Sequence, residues 1–157
     1  MEHTAKTDLN KINKTGIPGI DSKHEELIFM LDAFLDSLKK NVLSLDFIYT
    51  SLEGIMSCLG SHFVTEEGLL EIIGFPKIAD HKAQHKEYMN MFTKELKALN
   101  NNKNVEIAKI IHFVQAFRDT AIFHFAVSDA DYINFIEKLL DMKEKFNISV
   151  LTAKAIA

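Results

Sequence analysis

The chain has 157 residues, of which 47% are hydrophobic and 25% charged, with a formal net charge of −4. That suits one domain with a sizeable core and excludes an intrinsically disordered chain. With Arg118 the only arginine and no basic block, nucleic acid is not an expected partner, and with Cys58 the only cysteine, an internal disulfide and a cysteine-rich zinc site are excluded.

The chain opens on a polar arm, "MEHTAKTDLNKINK", without the apolar run of a signal peptide. No run of about 18 apolar residues follows, so no membrane span is predicted. A cytoplasmic location is the expectation.

Apolar residues then recur at steps of three and four in four segments. The first stripe reads His24, Leu27, Ile28, Leu31, Phe34, Leu35, Leu38, and Ser22 with Glu25 offers a capping box at its start. The second reads Ile48, Leu52, Ile55, Leu59, His62, Glu66, Leu70, Ile73. Ser44 is its predicted cap, Asp46 lies in its first turn, and Gly74 is its predicted stop. Gly54, Gly60 and Gly68 each weaken this helix by roughly 1 kcal/mol relative to alanine, so packing must hold it. Pro76 can start the third helix, whose stripe is Ile78, His81, His85, Tyr88, Phe92, Leu96, Leu99. The run "NNNKN" separates it from the fourth stripe, Ile107, Ile110, Val114, Phe117, Ala121, His124, with Asn104 as the predicted cap. Short connections make neighbours antiparallel. The predicted fold is all-α, an up-down-up-down four-helix bundle with a polar N-terminal arm and a short C-terminal extension. The mildly apolar tail from Asn147 to Ala157 reads as a docked or frayed terminus.

His24, His62, Glu66, His81, His85 and His124 all stand at stripe positions where leucine would be expected. Each would cost about 1–3 kcal/mol if buried without a partner. A single histidine on an apolar face is usually a satisfied core residue; six polar residues over four neighbouring helices point to a metal centre that satisfies them together. In an antiparallel bundle all six fall at the same end. The hairpin around Gly74 and Pro76 therefore joins the pairs His62/Glu66 and His81/His85, each spaced four residues apart on one helix face. Asp129 lies five residues after His124, off that face in a regular helix. By spacing alone it could reach the site from a loosened last turn or by bridging to a second metal, or stay outside it.

Together these motifs resemble the hemerythrin family, most of all its single-domain bacterial members. The resemblance runs from about Gly16 to Tyr132. "GIPGIDSKH" is similar to the approach to the family's first helix and ends on its first histidine, His24. "HFVTEE" resembles HxxxE, "HKAQH" resembles HxxxH and "HFAVSD" resembles HxxxxD. The resemblance implies a single hemerythrin-like domain over residues 1–157, with its bundle core at about 20–146. It implies two iron ions with an oxo or hydroxo bridge. One would take His81, His85 and His124, the other His24 and His62, and Glu66 and Asp129 would bridge both. The second iron then keeps an open position, where dioxygen would bind and draw electrons from both metals. One departure is that no tryptophan is present, and Thr120 stands where the family often has one. This changes the pocket shape but not the ligand count.

Reversible dioxygen binding, for storage, delivery or scavenging, is therefore the expected function, with dioxygen and a reductant or redox partner as the expected partners. A stand-alone oxygen or redox sensor, or a di-iron enzyme such as a peroxidase or a nitric-oxide-handling protein, is the alternative. No acid–base group beyond the ligands argues for an enzyme. Oligomeric state is not legible. Among other residues, Glu67 could accept a hydrogen bond from a ligand histidine or simply face solvent. His112 falls off the stripe and reads as a surface residue. Phe29, Phe63, Phe92 and Phe117 read as pocket wall or plain core, and Met30, Met56, Met89 and Met91 as core filler.

Overall fold

A computed structural model describes residues 14–40, 43–101 and 106–156, with side chains described as far as residue 144. Helix α1 spans Pro18–Lys40, α2 Leu45–Ile72, α3 Ile78–Asn101 and α4 Ile107–Phe123. A π turn, His124–Ser128, and α5, Asp129–Ile156, continue α4 without a break. Helix α1 packs against α2 and α4, and α2 packs against α3. Phe92 of α3 meets Phe117 of α4 edge to face at 4.3 Å, which closes the antiparallel bundle. Among the described residues no helix is long and apolar enough to cross a membrane.

Local chemistry explains most boundaries. Pro18 opens α1, where a missing N–H is no loss. The carboxylate of Asp21 reaches back to accept from the Thr15 N–H at 2.7 Å, the Thr15 hydroxyl at 2.8 Å and the Gly16 N–H at 3.2 Å. This corrects the expected Ser22–Glu25 capping box, because at Ser22 the helix is already under way. The Ser44 hydroxyl accepts from the Phe47 N–H at 3.2 Å and caps α2 as expected. The end of α2 is a Schellman motif. Gly74 takes φ +66°, its N–H reaches the Glu71 carbonyl at 3.1 Å, and the Phe75 N–H reaches the Leu70 carbonyl at 2.9 Å. Asn104 lies outside the described residues; Glu106 occupies the N-cap of α4 and makes no side-chain capping bond.

The larger correction is at the C-terminus. The expected short extension belongs to a 28-residue helix, α5, whose backbone is helical to Ile156.

The main core runs the length of the bundle, from Phe34 and Leu38 through Leu52, Leu59 and Phe92 to Phe63 and Phe125. Two glycines of α2 admit methionine ends: a Cβ on Gly54 would lie 3.7 Å from Met30 Cε, and one on Gly60 3.6 Å from Met89 Cε. A second, smaller cluster of Leu70, Phe75 and Tyr132 ties α5 to the α2–α3 turn. Between the two clusters lies a layer of buried polar side chains.

Candidate metal centre

Helices α1, α2 and α3, the π turn and the first residue of α5 deliver His24, His62, Glu66, His81, His85, His124 and Asp129 to that layer, and all of them are buried. The sequence-predicted residues thus meet at one end of the bundle. Nε2 of His81 and Nε2 of His85 each lie 3.2 Å from Glu66 Oε2, and His62 Nε2 lies 3.6 Å from the same oxygen. His124 Nε2 lies 3.2 Å and His81 Nε2 3.8 Å from Asp129 Oδ1, while His24 Nε2 lies 3.4 Å from Asp129 Oδ2. His85 Nε2 and His124 Nε2 are 3.1 Å apart. Donor atoms about 2.1 Å from a shared metal ion lie about 3 Å from one another, so the spacings suit metal ligands.

Two groups emerge. Glu66, His81, His85 and His124 can each offer an atom to one ion, and His24, His62 and Glu66 to another. Glu66 belongs to both, and Asp129 touches a histidine of each.

The buried atoms favour an occupant that the protein itself does not supply. Both ring nitrogens of His24 and of His62, His124 Nδ1, Glu66 Oε1 and both oxygens of Asp129 are buried with no hydrogen-bond partner. Each such atom costs on the order of 1–3 kcal/mol, so a set this large requires something to bind it. The donor set, imidazole-rich with two carboxylates, suits iron.

Electrostatics prepare the donors. Burial lowers the pKa of His24 and of His124 to about 3, and of His62 to about 4, from an ordinary 6.5. These rings are neutral at pH 7, with lone pairs available. Burial pushes Glu66 up, but its contacts with His81 and His85 outweigh that and hold it well below the carboxylate range. Burial, then the Glu66 charge, drives Asp129 well above it. The two carboxylates are thus pushed in opposite directions by their surroundings, Glu66 towards the ionised form and Asp129 towards the neutral one.

The π turn explains Asp129. The Asp129 N–H bonds the His124 carbonyl, five residues back, so the wide turn stacks the two side chains that a regular helix would set apart. It also lets consecutive residues His124 and Phe125 both face inward. Phe125 stacks on His24 at 3.7 Å and 15°, and Phe63 stacks on His85 at 3.7 Å and 9°. These apolar plates hold the rings and displace water from them.

Two residues support the ring set from outside. The Nδ1–H of His85 donates to Glu67 Oε1 at 2.9 Å, since a carboxylate only accepts, and this turns Nε2 inward. Lys82 anchors that carboxylate row, 3.6 Å from Glu67 and 2.5 Å from Glu71. Sequence reasoning missed Tyr132, which is fully buried, lies edge to face with His81 at 5.9 Å and has no partner for its hydroxyl. Burial, then the charges of Glu66 and Asp129, push its pKa far up. The available signal was its position one turn beyond Asp129.

Other expectations separate cleanly. Phe29 is 73% exposed and lines the surface grooves beside α1, away from the site, rather than the core, while Phe92 and Phe117 are core. Met30, Met56 and Met89 pack against that core, but Met91 is exposed. His112 is exposed, on a groove between α1 and α4 away from the site. Cys58 is half-buried and burial raises its thiol pKa.

Among curated proteins, the chain is similar to the bacteriohemerythrin of Aquifex aeolicus, with 31% identity over 107 residues, covering 68% of this chain and 78% of the relative. No family profile matches the chain, and no solved structure matches it.

Proposed function

The chain belongs to the hemerythrin family, and from that premise we propose that it binds dioxygen reversibly at a non-haem di-iron centre built from the seven buried side chains. The observation that carries the reading is the set of buried imidazole and carboxylate atoms that no protein group satisfies. Two irons held there would lend electrons to dioxygen and recover them when it leaves.

The side chains divide the work. His81, His85 and His124 would hold one iron and His24 and His62 the other, with Glu66 and Asp129 as the carboxylates available to both. Three imidazoles against two make the sides unequal, so the His24/His62 side keeps room for a small ligand. Phe125, flat on His24 and edge-on to His62 at 5.8 Å, keeps that side apolar. Excluding water there slows proton delivery, which favours release of dioxygen over its irreversible reduction. Glu67 fixes His85 in the tautomer that a ligand needs.

The test is an optical spectrum of iron-loaded, reduced protein under nitrogen, then in air, then under nitrogen again. We expect little visible absorption at first, a visible band in air and its loss when oxygen is withdrawn. Immediate conversion to the oxidised form without a reversible stage would remove the carrier reading and leave a redox sensor. Continuous oxygen consumption with a reductant would instead mark an enzyme.

A further inference from the structure

The seven side chains are almost sealed. His81 is the most exposed of them, at 4%. It lines a crevice of about 270 Å³ between the start of α3, the π turn and the start of α5. A larger groove, about 650 Å³ between α1 and α4, touches none of the seven, and neither does the apolar groove between α1 and α2 beside Phe47. On the other side of the centre, Phe125 and Phe63 lie flat on His24 and His85.

We propose that the crevice over His81 is the route by which iron, as the hydrated ferrous ion, reaches and leaves the centre; the proposal rests on the di-iron reading above. Size permits it, since about 270 Å³ is about nine waters' share of liquid volume, room for an ion with its inner shell of waters. The walls have the right chemistry. Asp80 and Asp131 stand at the mouth, and Gln84 and Ser128 line the way in. Carboxylate, amide and hydroxyl oxygens can replace the waters of a hard cation stepwise before imidazole takes over. At the bottom stands His81, whose Nε2 lies 3.2 Å from Glu66 Oε2, within the cluster itself. Beside it Asp129 has two buried, unpartnered oxygens to receive a cation.

The mouth also carries a latch. Lys77 pairs with Asp131 at 2.8 Å and so joins the α2–α3 turn to α5 across the opening. An arriving cation must compete with this ammonium for Asp131. Val127, exposed on the π turn, forms the opposite lip.

The experiment mixes metal-free protein anaerobically with ferrous ion and quenches it at intervals with a coloured ferrous chelator. Val127→Trp narrows the mouth, and Asp80→Lys reverses a charge on an exposed side chain. Both should slow uptake at least tenfold while two irons per chain still bind in the end, and both should slow removal by excess chelator. Ala33→Trp, in the α1–α4 groove, should load at the wild-type rate. General damage would open the site and speed loading, so slowing with unchanged final stoichiometry is specific to the route. Should Val127→Trp fail to fold, Asp80→Lys decides alone. Wild-type rates in the folded variants, or equal slowing in Ala33→Trp, overturn the route and leave the di-iron reading standing. Failure of the wild type to take up iron overturns that reading first, and the route with it.

Discussion

His85 shows how one side chain is made into a ligand. Its ring is gripped on three counts: Phe63 against its face, Glu67 on Nδ1 and the cluster at Nε2. Removing Glu67 frees the ring to rotate and to change tautomer without touching the metal. Glu67→Ala is therefore expected to weaken iron binding about 10- to 100-fold, with Glu67→Gln keeping part of it because the amide oxygen still accepts. Competition with a ferrous chelator measures this, and equal affinity in wild type and Glu67→Ala would refute it. The same residue marks a limit of sequence reading. Glu66 stands on the stripe and was legible as buried; Glu67 sits one position round the helix, where a solvated glutamate and a hydrogen-bonded one look alike. The six stripe residues could be read because each occupies an apolar position. Asp129 could not be placed by spacing, because the π turn that brings it in depends on tertiary packing.

Helix ends set where the layer of donors sits. The Schellman motif at Gly74 turns the chain so that Glu66 on α2 faces His81 and His85 on α3, and Leu70 and Phe75 supply the apolar contact that goes with that motif. Gly74 has φ +66° and open space around its Cβ position, so the strain of a side chain there is in the backbone alone. Gly74→Ala should destabilise the metal-free protein by about 1 kcal/mol, read as a lower urea midpoint with an unchanged slope; an unchanged midpoint would show that the turn has another conformation to hand. Both Ser44 and Gly74 were legible, since each lies at the edge of a stripe. The start of α1 was not. Its stripe begins to show at His24, whereas Pro18 and the reach of Asp21 back to Thr15 place the true start earlier. The length of α5 was illegible for a different reason: beyond Ile136 its described side chains are mostly exposed, so no core-facing stripe betrays it.

For the molecule as a whole, the donor layer is a weakness until it is occupied. A metal that binds only the folded state at about a thousand times its dissociation constant stabilises it by about 4 kcal/mol, or about 10 °C in melting temperature for a chain this size. Iron-loaded protein should melt at least that much above the metal-free form, and coincident melting curves would refute the coupling. Acid should hurt the metal-free form. His24, His62 and His124 have folded pKa values near 3 to 4, below the ordinary 6.5, so the unfolded chain binds more protons between those limits. Their contribution is complete above pH 6.5 and is lost as pH falls towards 4. Asp129, raised, acts in the opposite sense: its contribution is complete at low pH and is lost as pH rises through its folded value. With three groups against one, the melting temperature of the metal-free protein should fall between pH 6.5 and 4.5; a flat profile would contradict the burial described for these rings. The π turn joins this layer to everything beyond it. Five residues of regular helix advance about 500°, which would leave Asp129 about 140° away from His124. The wide turn absorbs that angle, and so fixes the rotational phase of all of α5, including the Tyr132 and Ile136 side that meets Phe75. Chain length within 125–128 thus acts as a dial. One residue fewer leaves a regular helix with its acid four places after the histidine and its phase intact. One residue more turns the acid and the tyrosine away by about 100° together, whatever their identities.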